Sequence, residues 1–256
     1  MSDPALVYGV LGLGAFAAGF VDAVVGGGGL IQLPAFLNAL PAAPPATVFG
    51  TNKLAAVFGT ASAAVRYARR IAPPWRIVLP AMIAAGLAAY GGAHLATLVP
   101  REYMRPLILA LLVAVTLHTY FRKDFGAVDR DHPLSRRSVA LALAIGGALG
   151  FYDGFFGPGT GSFLIFLFIR CFGFDFLRAS LCAKWVNTAT NVTAILSFAL
   201  SGHILYRLGL LAAACNVAGS LAGSHLALRH GSGFVRRAFL LVSLALIAKF
   251  GWDTFR

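Results

Sequence analysis

The sequence predicts an all-α, polytopic membrane protein built from two homologous halves. The chain is 59% hydrophobic and only 12% charged, which leaves too few polar residues to cover a soluble domain of this size. Apolar runs recur along the whole sequence, and most are long enough to cross a hydrocarbon core of ~30 Å, which takes ~20 helical residues. The short strands of alternating polarity that a membrane barrel needs are not seen in the sequence. We therefore expect a helical bundle embedded in the lipid bilayer.

The duplication is visible at one fixed offset. Gly19-Phe20-Val21-Asp22 resembles Gly150-Phe151-Tyr152-Asp153, an offset of 131 residues (150 − 19). The same offset, without a gap, relates a glycine, a lysine, a histidine and an arginine of the first half to the same residue types in the second: Gly26 to Gly157, Lys53 to Lys184, His94 to His225 and Arg105 to Arg236. We assign residues 1–125 to the first membrane repeat and residues 126–256 to the second.

Each half begins with an apolar stretch that glycines interrupt, over residues 5–39 and 136–170. Three ordinary spans follow in each half, at 47–69, 77–98 and 103–121, and then at 177–201, 206–228 and 234–252. About 35 helical residues reach only ~52 Å at 1.5 Å each, which is short of two full crossings. Each interrupted stretch is therefore either a re-entrant hairpin or two short helices.

Both alternatives return the chain to the side on which it started, so three further spans make the second half inverted relative to the first. The net charge of +12 is consistent with this, because the basic residues cluster between apolar runs and most of them then fall on one side. Such clusters are typical of cytoplasmic loops rather than of a nucleic-acid-binding surface. We expect a multi-pass protein of the cytoplasmic (inner) membrane with both termini outside.

The interruptions are the first candidate for a binding site. In inverted repeats, substrates bind near the midplane where corresponding helices are broken. Glycine allows backbone amides to approach a ligand, and the helix that resumes after the break presents free N–H groups and a positive dipole end, which suit an oxyanion. The alternative is that the glycines only allow close helix packing, as Gly146, Gly150 and Gly154 would. The loop residues concerned are Gly26, Gly27, Gly28, Gly29, Gly157, Gly159, Thr160 and Gly161.

Two lysines inside apolar spans are the second candidate. A charge there costs at least ~2.5–3.5 kcal/mol on insertion scales, so we expect Lys53 and Lys184 to contact an anionic substrate. The alternative is a structural ion pair within each half, Lys53 with Asp22 and Lys184 with Asp153. The two aspartates either carry protons or act as fixed counter-ions. The polar neighbours most suited to the substrate are Asn52 and Asn187, with Thr51, Thr188, Asn191, Gln32 and Ser162 as weaker candidates.

At these motifs the sequence resembles the TauE/SafE family of sulfite and organosulfonate permeases. The resemblance covers nearly the whole chain and is carried by the Gly-Asp-Gly motifs that end at Gly29 and Gly161 and by Gly50-Thr51-Asn52-Lys53. It implies an inner-membrane carrier for sulfur-containing anions such as sulfite, sulfonates or sulfoacetate. The second half departs from the first in that Pro158 replaces Gly27, so the resemblance implies an asymmetric site.

We therefore predict a secondary transporter of small sulfur-containing anions, coupled to protons and working by alternating access. A passive anion channel and a membrane scaffold without transport remain as alternatives. We find no enzyme signature and expect no cofactor; the cysteines and histidines lack metal-ligand spacing, so we expect no metal either. The predicted partners are a small anion and the lipid bilayer, without nucleic acid. The sequence leaves open whether the chain forms a homo-oligomer.

Overall fold

The computed structural model describes residues 4–96 and 135–255, together with Gly126. These residues form eight helices and, within the same ranges, no β-strand, which confirms the predicted all-α class. The predicted span at 103–121 lies outside the described residues. The helices are α1 (Pro4–Val25), α2 (Gly29–Ala39), α3 (Pro45–Ala68), α4 (Trp75–Leu95), α5 (Arg136–Phe155), α6 (Thr160–Phe172), α7 (Phe176–Leu200) and α8 (Tyr206–Phe255).

Four of these helices are both long and apolar enough to cross a membrane: α1, α4, α5 and α8. Helices α3 and α7 have 24 and 25 residues, about 36 Å at 1.5 Å per residue, so they have the length to cross as well. Their sequences are more polar because they carry Lys53 and Lys184. Both lysines are buried, so each of these two helices carries a charged side chain into the interior of the protein.

Each glycine-interrupted stretch forms a long helix followed by a short one. Helix α1 has 22 residues and α2 has 11, while α5 has 20 and α6 has 13. Helix α2 runs back along α1, since a Cβ on Gly14 would lie 2.8 Å from the Cβ of Ala35 and one on Gly28 would lie 2.5 Å from the carbonyl oxygen of Ala18. The first interrupted stretch is thus a hairpin with one long arm and one short arm. Helix α1 alone is ~33 Å long and takes up most of the residues of the stretch, so few remain for α2.

Small residues hold the two halves together. On α5, Gly146, Gly150 and Gly154 press against the backbone of Ala81, Ala85 and Ala89 on α4, leaving no room for a Cβ. This confirms the predicted packing face for these three glycines. Helices α1 and α8 meet in the same manner, with Gly19 against Asn216 and Gly223 against Phe20. The first helix of each half therefore packs against a helix of the other half.

These contacts repeat at the offset found in the sequence. Gly92 meets the carbonyl oxygen of Phe151, and Gly223, 131 residues after Gly92, meets that of Phe20, 131 residues before Phe151. Gly19 against Asn216 and Gly150 against Ala85 form a second such couple. The two predicted spans at 206–228 and 234–252 are two helical segments that meet at a kink at Gly231 (φ 75°, ψ −174°), and together they make up α8.

Candidate anion site between the two halves

The two glycine turns lie against each other. Gly26, Gly157 and Gly159 have φ of +79°, +90° and +86°, a conformation that glycine adopts without strain. Gly26 contacts the backbone of Gly161 so closely that neither residue has room for a Cβ, and a Cβ on Gly29 would lie 3.3 Å from the Cα of Pro158. Ser162 closes the junction, donating from its Oγ to the carbonyl oxygen of Val25 at 2.9 Å. The turns of the two halves thus share one centre.

The lysines form ion pairs between the halves, and the alternative of an ion pair within each half is wrong. Lys53 Nζ donates to Asp153 Oδ2 at 2.7 Å, and Lys184 Nζ lies 3.7 Å from Asp22 Oδ2. The pairs cross because the turn of one half covers the central helix of the other: a Cβ on Gly157 would lie 3.1 Å from Lys53 Nζ. Separating the two halves at this centre would therefore separate both pairs.

The crossed pairs differ in tightness. The side chains of Lys53 and Asp153 are 7% and 6% exposed and make a short hydrogen bond. Lys184 is fully buried, whereas the side chain of Asp22 is 17% exposed and also accepts a hydrogen bond from Thr60 Oγ1 at 3.3 Å. At 3.7 Å the Lys184 ammonium is beyond hydrogen-bond distance from Asp22. The site is consequently asymmetric, as the resemblance implied.

A small polar cavity lies at this centre, with a volume of about 40 Å³. Since a buried water needs ~10–15 Å³ by this kind of measure, the cavity has room for about three waters or one small oxyanion. Backbone from both turns and polar side chains from α1, α2, α3, α5, α7 and α8 surround it. The lining residues are Ala18, Asp22, Gly26, Gly28, Gly29, Gln32, Asn52, Lys53, Ala56, Thr60, Asp153, Gly157, Pro158, Gly159, Gly161, Asn187, Asn191 and Asn216.

Several polar atoms around this cavity are buried without a hydrogen-bond partner. They are Gln32 Nε2, Asn52 Oδ1, Asn187 Oδ1 and Lys184 Nζ. Asn216 Nδ2 donates to Gln32 Oε1 at 2.8 Å, which commits the acceptor of Gln32 and leaves its donor free. Rotation of a carboxamide exchanges its oxygen and nitrogen, so the asparagines also can present N–H groups to an anion. An unpaired buried polar group costs ~1–3 kcal/mol, which a bound ligand would recover.

Eleven of the predicted residues line the cavity and three do not. Gly27 and Thr160 lie beside it, with Thr160 Oγ1 bonded to the carbonyl oxygen of Gly157 at 2.7 Å, and Lys184 is buried behind it. The residues that line it are Asp22, Gly26, Gly28, Gly29, Asn52, Lys53, Asp153, Gly157, Gly159, Gly161 and Asn187.

Sequence reasoning missed two polar residues of the cavity and undervalued two others. Thr60 and Asn216 were not selected, and Gln32 and Asn191 were only weaker candidates. An available signal for Asn216 was its position inside the apolar run that forms α8, where an amide needs a partner. Its partner is Gln32, which lies 184 residues away in sequence, so the pair could not be recognised before the fold was known.

The helical bundle, with a small charged cavity at its centre, is the structure of a membrane transport protein. The family described as "Sulfite exporter TauE/SafE" matches residues 11–250. The chain therefore belongs to the TauE/SafE family, and it is a multi-pass membrane transporter rather than an enzyme. No solved structure gives a significant match to the chain.

Curated relatives match this chain over most of their own length, and all are named as probable membrane transporter proteins. A "Probable membrane transporter protein ORF9" of Sinorhizobium sp is 38% identical over 232 residues, which are 91% of this chain and 87% of that protein. A "Probable membrane transporter protein" of Haemophilus influenzae is 33% identical, covering 93% of this chain and 92% of its own. The "Probable membrane transporter protein YfcA" of Escherichia coli K12 is 33% identical, covering 97% and 91%. These names confirm the prediction of a transporter.

Proposed function

We propose that this protein is a secondary transporter of small sulfur-containing anions, such as sulfite or a small sulfonate, across the cytoplasmic membrane. The observation that carries the proposal is the small cavity between the two glycine turns, which the Lys53 side chain lines and where Gln32 Nε2 and Asn187 Oδ1 are buried without hydrogen-bond partners. The N-termini of α2 and α6 begin at this cavity, and helix N-termini favour oxyanions. Sulfur chemistry is suggested by the description of the family as sulfite exporters.

Cavity size favours the smallest members of that substrate class. About 40 Å³ accommodates a sulfite-sized oxyanion but no long organic chain, given that one water needs ~10–15 Å³. The donors on opposite sides, Gln32 from the first half and Asn187 from the second, suit the several oxygens of such an anion. We therefore place sulfite and one-carbon sulfonates ahead of larger sulfonates as substrates.

Proton coupling follows from the charge balance of the site. Two lysines and two aspartates give a formal charge of zero, so a bound monovalent anion leaves one negative charge uncompensated in a medium of low dielectric constant. Protonation of Asp22 or Asp153 restores neutrality and releases a lysine to bind the anion. We assign this role first to Asp22, since its side chain is the more exposed of the two and its lysine is 3.7 Å away.

Alternating access is supported by the repeated contacts of the two halves. In the inverted arrangement, an axis in the membrane plane relates the two glycine turns, and the unequal ion pairs of 2.7 and 3.7 Å characterise one of two related conformations. In the other conformation the pair Lys184–Asp22 would be the short one. The crossed pairs thereby couple movement of the halves to the occupancy of the cavity.

The test is uptake of labelled sulfite by proteoliposomes that contain Lys53→Gln or Lys184→Gln protein. We expect each variant to lose at least tenfold in uptake rate, since either change removes a charge that the anion needs. Arg136→Gln is the matched control, because Arg136 is an exposed cation at the start of α5 and does not line the cavity. Size-exclusion profiles establish that the variants are folded, and unchanged uptake by both lysine variants would refute the proposal.

The same vesicles distinguish a carrier from a channel. An inward proton gradient should accelerate sulfite uptake by a proton-coupled carrier, and internal unlabelled sulfite should accelerate exchange. Flux that responds to neither condition would favour the passive channel.

A further inference from the structure

A second, larger hollow, which is open to the surface of the bundle, lies where the end of α3 faces α8. Its volume is about 1020 Å³, and we call it the basic chamber. Five cationic or titratable side chains surround it: Arg66, Arg69, Arg70, His225 and Arg229. Among the described residues that line the chamber, none is acidic. Such a concentration of positive charge, bounded by low-dielectric walls, raises the local concentration of anions.

Arg66 is held in place within this chamber by His225. The guanidinium Nη2 of Arg66 lies 3.1 Å from His225 Nδ1, and since a guanidinium only donates, the imidazole nitrogen accepts. This bond joins α3 to α8 at the chamber and leaves the other donors of the guanidinium for a ligand. The pseudo-equivalent positions of the second half carry no such cations: Ser197, Leu200 and Ser201 stand where Arg66, Arg69 and Arg70 stand in the first.

Only a thin contact separates the basic chamber from the central cavity. On α3, Thr60 lines the cavity and Ala61 and Ser62 line the chamber; on α8, Asn216 lines the cavity and Leu221 the chamber. The step of five residues from Asn216 to Leu221 corresponds to about 7.5 Å along the helix. A barrier this thin lies within the reach of a small rearrangement of α3 against α8.

The barrier consists of small polar residues, which we call the serine seam: Gly59, Ser62 and Ser220. Ser62 Oγ and Ser220 Oγ both donate to the carbonyl oxygen of Gly59, at 2.8 and 2.6 Å, and the two hydroxyls are 3.4 Å apart. Gly59 has no room for a Cβ because Asn216 lies directly against it. Two hydroxyls that share one carbonyl acceptor across two helices can donate instead to a passing oxyanion.

We propose that the basic chamber binds oxyanions and is the vestibule through which they reach the central cavity. The serine seam is the gate between the two. This inference rests on the proposed function and adds a second anion site and the route that joins it to the first. By its charge the chamber faces the cytoplasm. The ligand is recognised as an oxyanion, and the phosphate of an anionic lipid has the same chemistry, so the experiment must separate the two sources.

Thiol labelling of purified protein measures anion accumulation in the chamber without relying on transport. In a background where Cys171, Cys182 and Cys215 are replaced by serine, Val65→Cys places one thiol in the chamber. We expect a negatively charged methanethiosulfonate to label it roughly tenfold faster than a positively charged one, as focusing by a charged cleft predicts, and the preference to shrink with added salt. Replacing Arg66, Arg69 and Arg70 with glutamine should remove it.

Leu196→Cys is the matched control, because position 196 corresponds to 65 at the repeat offset and is likewise exposed. We expect no preference for the negative reagent there. Methanesulfonate, which does not react with the reagent, should slow labelling at Val65→Cys alone. Equal rates for the two reagents at Val65→Cys would overturn the proposal. Slowing by phosphatidylglycerol but not by methanesulfonate would also overturn it and assign the chamber to a lipid headgroup.

The gate is tested by cross-linking. Hydroxyls 3.4 Å apart place Ser62→Cys and Ser220→Cys within disulfide reach, with Cβ atoms needing a separation of roughly 3.5–4.5 Å. In the same serine background, oxidation of the double variant should stop sulfite uptake and reduction should restore it. Undiminished uptake by the cross-linked protein would overturn the gate. Loss of uptake in the lysine variants reports on the proposed function alone, so the two failures are distinguishable.

Discussion

The short ion pair between Lys53 and Asp153 should contribute more to stability than its pseudo-equivalent. Asp153→Asn leaves the Lys53 ammonium without its counter-charge in a site where its side chain is 7% exposed. Removing one member of a buried pair costs about 3–5 kcal/mol, and the polar cavity beside Lys53 places the cost at the low end, about 3 kcal/mol. At about 2–4 °C per kcal/mol for a chain of this size, the apparent Tm in detergent should fall by about 6–12 °C.

Asp22→Asn is the internal comparison for this measurement. Its lysine is already 3.7 Å away and without a hydrogen bond, so less attraction is lost and the fall in Tm should be no more than about half as large. The double variant Lys53→Gln/Asp153→Asn removes both charges and should recover part of the loss caused by Asp153→Asn. Equal falls in Tm for the two aspartate variants, or no recovery in the double variant, would contradict the assigned difference between the pairs.

Three further outcomes follow from the site. Gly157→Ala should abolish sulfite uptake and lower the yield of folded protein, because φ is +90° and the new Cβ would lie 3.1 Å from Lys53 Nζ. The control is Gly147→Ala in the same half, which should be tolerated because nothing lies within 4 Å of the new Cβ. Gln32→Leu should raise the KM for sulfite by roughly tenfold, the effect of losing one donor to a charged ligand at ~1.5–3 kcal/mol, with binding measured by thermal shift. Asp22→Asn should abolish acceleration of uptake by a proton gradient while retaining exchange; acceleration equal to that of the unchanged protein would contradict proton transfer at Asp22.

Much of the fold was predictable because it follows from local composition and from the repeat. The helices α3, α4 and α7 lie within a few residues of the predicted spans, since long apolar runs leave the backbone no other way to satisfy its hydrogen bonds in lipid. The length of α1 was not predictable in the same way. Nothing in the apolar run from residue 5 to 39 distinguishes two equal arms from a full-length helix and a half-length one. The lengths of the two arms are determined by the packing of α2 along α1, where Ala35 contacts Gly14.

Most residues of the candidate site were predictable from the sequence, but the pairing of its charges was not. A charge in an apolar run is costly wherever the fold places it, so Lys53 and Asp153 were identifiable from sequence alone. Which aspartate pairs with which lysine depends on the packing of α1 against α8 and of α4 against α5, and proximity in sequence favoured the wrong pairs. The burial of Lys184 behind the cavity depends equally on tertiary packing, since Lys53 at the same repeat position lines it.

The crossed pairs give the proposed coupling its physical basis. Each pair joins one half to the other, so a movement that opens the cavity between the halves separates a lysine from its aspartate in surroundings where an unpaired charge is costly. An anion alone compensates the lysine but leaves the aspartate charged, and a proton alone compensates the aspartate but leaves the lysine charged. Only the two together satisfy both groups. In the proposed mechanism, opening without cargo would therefore be disfavoured, and these two lysines and two aspartates would suppress a leak of anions or protons alone.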